Sequence, residues 1–444
     1  FNYPFVFDVA EAEEIEDISG ADSADPQVEF EILPPDEDAP DIGVIDSGIM
    51  EDHRYLRASI RSAFSRSYID GDNSTADQVR GGGHGTKVAG AVLYPYGVSN
   101  LQSPYKLPFF IRNLRVLDGD NALVTKFPAL LMKQIVDDNG ECKIFNLSLC
   151  SKATFRKKHM SAWAATIDSI IYEKDVLFVI SAGNIHKDII RGFINQNSSY
   201  PAFLQRPYSR LANPAQSSFA LTVGSINHSQ FEDANWRSLG GEREVSAFSR
   251  IGLGMWGQVK PDVVEFGGGL VVSKDRINTI RSNEHTCPEL IRSTLHGGGA
   301  YGKDSVGTSF AAPKVSHIVG HLKKLYPNEN INLLRALTVQ GARLPNQYFL
   351  NPTFESIQHY GYGLPSLERV TANTQHRISF YNTGNIKAEE GNIYSLKVPS
   401  ELRNQANDYD VLIEVTLAFT AKVRRTRQKT KSYLSTWLDW TTSK

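Results

Sequence analysis

Short apolar runs punctuate the first two-thirds of the chain. Ile42-Gly43-Val44-Ile45 is one; Phe109–Val116, Lys143–Leu149, Val176–Ser181 and Ala220–Val223 follow it. Short runs that lack polar alternation predict strands buried on both faces, as in a parallel sheet. Between them, Phe127–Asp137 and Ser161–Glu173 carry apolar positions at helical spacing. Strand alternating with helix predicts an α/β fold, a doubly wound parallel sheet with helices on both faces. Two further helices are expected at Ser309–Leu325, with Pro313 in its first turn, and at Ile331–Gln340.

After about Leu364 the period changes. Arg377–Tyr381, Ile393–Val398 and Val411–Phe419 alternate with period two between Gly, Asn and Pro. That pattern predicts a C-terminal antiparallel β domain. The chain therefore divides into an N-terminal arm or linker (1–40), a central α/β domain (41–370) and a C-terminal β domain (371–444).

Composition changes this picture little. The chain has 444 residues, 41% hydrophobic and 22% charged, as in ordinary globular proteins. No apolar stretch reaches the roughly 18 residues that would span a bilayer, so no membrane partner is expected. The acidic start does not read as a secretory signal. The three cysteines, Cys142, Cys150 and Cys287, show no metal spacing. They predict free thiols in a reducing compartment, hence a cytoplasmic location. Charge is more informative. Residues 1–40 carry 13 Asp and Glu and no Lys or Arg, and the remainder has a basic surplus. An acidic arm precedes a basic body; it reads as a solvated linker or as an arm folding over that body. Near the other end lie Lys422, Arg424, Arg425, Arg427, Lys429 and Lys431. A solvated hairpin tip is the favoured reading, pairing with the acidic arm at residues 8–40 is an alternative, and nucleic acid is not the expected partner.

Four segments carry candidate chemistry. The strand Ile42–Ile45 ends in Asp46-Ser47-Gly48, and the carboxyl ends of parallel strands are where function gathers. His84 stands among glycines in Gly81-Gly82-Gly83-His84-Gly85-Thr86, before a run with small residues, Val88-Ala89-Gly90. Val179-Ile180-Ser181-Ala182-Gly183-Asn184 is a buried strand that ends in a side-chain amide. Gly307-Thr308-Ser309 enters a helix, whose first amides are unpaired and favour an adjacent anion. Singly, each has a plain structural reading: a turn aspartate, a surface histidine, a turn asparagine, a serine cap. Together, in the order Asp, His, Asn, Ser, they are far more specific.

On these residues the chain resembles the subtilisin-like serine protease (subtilase, peptidase S8) family over roughly residues 41–370. Asp46-Ser47-Gly48, Gly83-His84-Gly85-Thr86, Ala182-Gly183-Asn184 and Gly307-Thr308-Ser309 with Ala311-Ala312-Pro313 match its Asp, His, oxyanion and Ser motifs. The resemblance implies a serine endopeptidase with catalytic Asp46, His84 and Ser309 and oxyanion-hole Asn184. It further implies substrate binding along Asn146, Leu147, Ser148, Leu149 and Cys150 and along Ser181, Ala182 and Gly183. The substrate would be a protein or peptide, with no cofactor required. Structural calcium occurs in the family; Asp70 and Asp72 are candidates by composition only, and no metal is assigned. The family's usual histidines are replaced by Lys87 and Lys314, and Cys150 and Glu265-Phe266 also depart from its pattern. Where the family often carries an inhibitory propeptide, this chain has its acidic arm, so regulation by the arm or by a protein partner is expected. The alternative is a catalytically latent subtilase fold serving as a binding module.

Overall fold

The computed structural model describes residues 19–22, 31–79, 82–99, 101–283, 285–294, 303–387, 389–395, 397, 400, 411–426 and 430–441. Its strands are β1 (Ser19–Asp22), β2 (Ile32–Leu33), β3 (Asp41–Asp46), β4 (Arg66–Ser67), β5 (Tyr105–Lys106), β6 (Phe110–Arg115) and β7 (Ile144–Leu147). They continue with β8 (Leu177–Ser181), β9 (Leu221–Ile226), β10 (Trp236–Ser238), β11 (Val263–Phe266), β12 (Val271–Ser273), β13 (Ile280–Arg281) and β14 (Lys303–Ser305). The longer helices are α1 (Gly85–Leu93), α2 (Pro128–Asp138), α3 (Ala162–Lys174), α4 (Lys187–Asn195), α5 (Thr308–Leu325) and α6 (Ile331–Gln340).

Seven strands form the central sheet in the order β11-β9-β8-β7-β3-β6-β4. Every pairing in it is parallel. The chain builds β6 on one side of β3 and β7 on the other. The order thus reverses at β3, and the crevice for a ligand opens at the carboxyl ends of β3 and β7. The interior strands Ile144–Leu147 and Leu177–Ser181 are buried at every position, with Asn146 and Ser181 their only polar members. That is what helices on both faces demand. Helix α1 is buried along all nine residues, because it packs against both β3 and α5. Helix α5 lies across β7, β8, β9 and β11 and packs beside α1.

A three-stranded antiparallel sheet accompanies the parallel one within residues 236–281, in the order β10-β12-β13. Among the described residues after 371, the only backbone pairings of strand type are the isolated bridges Thr374–Arg377 and Val423–Leu434. The strands expected at Arg377–Tyr381 and Val411–Phe419 are therefore not formed there, and part of Ile393–Val398 lies outside the described residues. Instead, residues near the C-terminal end dock on the α/β body. Tyr433, fully buried at the end of a short helix (Thr430–Tyr433), donates its hydroxyl to Asp168 of α3 at 2.7 Å. Arg335 of α6 donates to the Phe419 carbonyl at 2.9 Å, and Ala421 and Leu434 join the main core.

The N-terminal boundary also shifts. Strand β2 pairs with β5, and Asp36 accepts from Lys324 at 2.8 Å and bonds Lys106, so residues 31–40 belong to the body. Most of the acidic run before residue 31 lies outside the described residues. Its described part, β1, pairs antiparallel with β14, Ser19 opposite Ser305 and Asp22 opposite Lys303.

Candidate active site

Asp46 is the last residue of β3 and is almost wholly buried. Its Oδ1 accepts from the Ser47 amide at 2.8 Å and lies 2.6 Å from His84 Nδ1. Its Oδ2 is buried without a hydrogen-bond partner among the described residues. A carboxylate so close to Nδ1 holds the imidazole with that nitrogen protonated and leaves Nε2 as the basic position. His84 stands at the N-terminal boundary of α1, and its ring packs at 5.4 Å from that of Phe310.

Ser309 is the second residue of α5. Its hydroxyl donates to the Ser148 carbonyl at 2.9 Å, and the Ser148 hydroxyl donates to the Ser309 carbonyl at 2.9 Å. Pro313 explains half of this exchange. It stands in the second turn of α5 rather than the first, four residues after Ser309. Lacking an amide hydrogen, it leaves the Ser309 carbonyl without its helical donor, and Ser148 supplies one.

Asn184 follows β8. Its Oδ1 accepts from both the amide and the hydroxyl of Thr308, each at 3.0 Å. An amide hydrogen can bond only to the oxygen end, so the orientation of the carboxamide is fixed, with Nδ2 on the other side. Gly183 makes this corner. It has φ +93°, and a Cβ there would stand 2.6 Å from that of Ala212. Beneath it, Arg250 is fully buried and donates to the carbonyls of Asn184 (2.9 Å), Arg210 (3.1 Å), Tyr208 and Lys152 (both 2.5 Å).

The remaining expected site residues fall into two groups. Asn146 and Leu147 are buried inside β7, and the Asn146 carboxamide bonds the hydroxyls of Ser148 (2.8 Å) and Ser316 (3.0 Å). Ser148, Leu149 and Cys150 continue past the strand end, opposite Ser181, Ala182 and Gly183. Across that gap the Cys150 thiol donates to the Ser181 carbonyl at 2.9 Å. Lys87, one turn into α1, is buried and donates to Ser305 at 3.2 Å. Lys314 is buried near Glu265; burial holds the lysine below and the glutamate above its usual range. Asp72 does not fit a calcium site. Its Oδ2 pairs with Arg115 at 2.7 Å and its Oδ1 accepts from Ser74 at 2.9 Å, so a guanidinium already supplies its positive charge. The three cysteines are buried, and none forms a disulfide among the described residues.

Arg250 and Asp77, whose Oδ2 accepts from the His84 amide at 2.9 Å, carry no signal in the sequence. Neither lies in a recognisable motif, and a polar residue's burial is set by contacts distant in sequence.

The subtilase family model matches residues 37–363. The uncharacterized protein y4bN of Sinorhizobium fredii is 30% identical over 315 residues, covering 68% of this chain and 72% of that protein. Among solved structures, a lanthipeptide protease is 19% identical with TM-score 0.47, over 74% of this chain and 85% of that one. The epidermin leader peptide processing serine protease EpiP of Staphylococcus aureus is 18% identical with TM-score 0.47, over 77% of this chain and 78% of that one. The chain belongs to the subtilase family and is a serine protease of the subtilisin type.

Proposed function

We propose that this chain hydrolyses peptide bonds with Ser309 as nucleophile, His84 as general base and Asp46 as the acid that orients it. The observation that carries the reading is the 2.6 Å contact between His84 Nδ1 and buried Asp46, with Ser309 at the start of α5. A peptide lies extended beside Ser148–Cys150 and Ser181–Gly183. Ser309 Oγ turns about χ1 away from the Ser148 carbonyl and attacks the scissile carbonyl carbon, and its proton passes to His84 Nε2. The oxyanion is met by Asn184 Nδ2 and the Ser309 amide. His84 then protonates the leaving amine, and water attacks the acyl-enzyme with His84 again as base. No metal enters any step. Three buried cysteines with no disulfide among the described residues favour a reducing, cytoplasmic setting. The pairing of β1 with β14, just before the nucleophile turn, supports regulation by the N-terminal arm.

One observation favours a second reading, a latent fold used for binding. The Ser309 hydroxyl is committed to the Ser148 carbonyl. Labelling with a fluorophosphonate probe separates the two. Labelling of the wild type that is lost in Ser309→Ala is the expected result. A folded wild type that stays unlabelled, with and without residues 1–30, would reject the enzyme reading.

A further inference from the structure

A helix beginning with His84 has a capping problem. The first amides of a helix have no partner within it, and the residue at the boundary normally offers its own side chain as acceptor. His84 cannot, because its ring is turned to Asp46; it makes no capping bond of its own. The amides are nevertheless satisfied. Asp77 Oδ2 accepts from the His84 amide and from the Thr86 amide, each at 2.9 Å. The Gly85 amide between them goes to Ser47 Oγ at 2.9 Å. Ser47 Oγ in turn donates to Asp77 Oδ1 at 3.0 Å, which also accepts from the Val79 amide at 3.3 Å.

We propose that Asp77 is a positioning residue: it fixes the backbone of His84 relative to the carboxyl end of β3, and so sets the imidazole against Asp46. One buried carboxylate holds the helix start with one oxygen and, through Ser47, the strand end with the other. Its four neighbours are all donors, which suits an acceptor-only carboxylate. It also places negative charge at the N-terminal end of α1, where the helix dipole favours it. The close approach needs a residue without a side chain at position 83. Gly83 has φ +73°, and a Cβ there would stand 2.4 Å from Asp77 Oδ2. Burial pushes the Asp77 carboxyl up, and hydrogen bonds from Thr86 and Ser47 pull it back.

The inference rests on the triad reading, so its test has one arm that needs no activity. Asp77→Asn keeps the shape but turns one oxygen into a donor facing the Val79 amide; Asp77→Ala removes both acceptors. With the fluorophosphonate as probe, the first-order inactivation constant should fall about tenfold in Asp77→Asn and about a hundredfold in Asp77→Ala, a scale expected of a small misplacement of the base. The probe's apparent binding constant should stay within twofold. The arm independent of turnover is the low-field proton resonance of His84 Nδ1, assigned by its loss in His84→Ala. It should move upfield or broaden in both Asp77 variants while circular dichroism and melting show a folded protein. An unmoved resonance in folded Asp77→Asn, or an inactivation constant within twofold of wild type, would overturn the proposal. An unlabelled wild type with a shifted resonance would overturn the protease reading alone.

Discussion

Thr308 decides which end of the Asn184 carboxamide meets the substrate. Both of its donors are spent on Oδ1, so Nδ2 is the end left to meet a developing charge. Asn184→Ala should therefore lower kcat by about 10²–10³-fold, the scale for loss of one oxyanion donor, with KM little changed. A parallel rise in KM with kcat intact would instead assign the side chain to ground-state binding. The motif residues Asp46, His84, Asn184 and Ser309 are legible from sequence because their chemistry is tied to local patterns: a strand end, a glycine-flanked histidine, a helix start. Asp77 and Arg250 were not legible. A carboxylate seven residues before a histidine reads as a solvated loop until the fold closes over it.

Among the elements, agreement is close wherever burial is two-sided. The runs read at 143–149 and 176–181 contain β7 and β8, and Ser161 caps α3 by accepting the Ala164 amide at 3.1 Å. The C-terminal strands fail for the complementary reason. Alternation shows that a segment has two unlike faces, but not whether its backbone will find a partner strand. One loop carries a pH-dependent prediction. His53, in the turns after β3, is buried with Nε2 2.6 Å from the Arg292 carbonyl, while Nδ1 accepts from the Tyr55 amide at 3.2 Å. Both nitrogens are in use only if the ring is neutral, and burial lowers its pKa from 6.5 to about 4. Between those values the unfolded chain takes up a proton that the folded one refuses, so stability is lost as pH falls through this window. The loss from this residue is at most about 3 kcal/mol. Melting curves from pH 7 to pH 4 should show a shallower decline in His53→Asn than in wild type. Equal slopes would mean that His53 is protonated in the fold.

For the molecule as a whole, charge asymmetry and the β1–β14 pairing point the same way. The described part of the arm, Ser19–Asp22, pairs with the strand that precedes Ser309. Because residues 31–40 are part of the body, the informative truncation removes residues 1–30 only. Truncation should change the rate of fluorophosphonate labelling, and the difference between the two forms should shrink as salt is raised, because exposed charges are screened. Identical rates at every salt concentration would make the arm a plain linker.

The bond from Tyr433 to Asp168 spans 265 residues of sequence. Asp168 also accepts from Ser217, Ser218 and Phe219, but its shell closes only with the tyrosine hydroxyl. During synthesis, every catalytic motif emerges from the ribosome well before that last donor. Until it arrives, α3 carries an under-satisfied buried acid, and the protease unit is left short of its full stability.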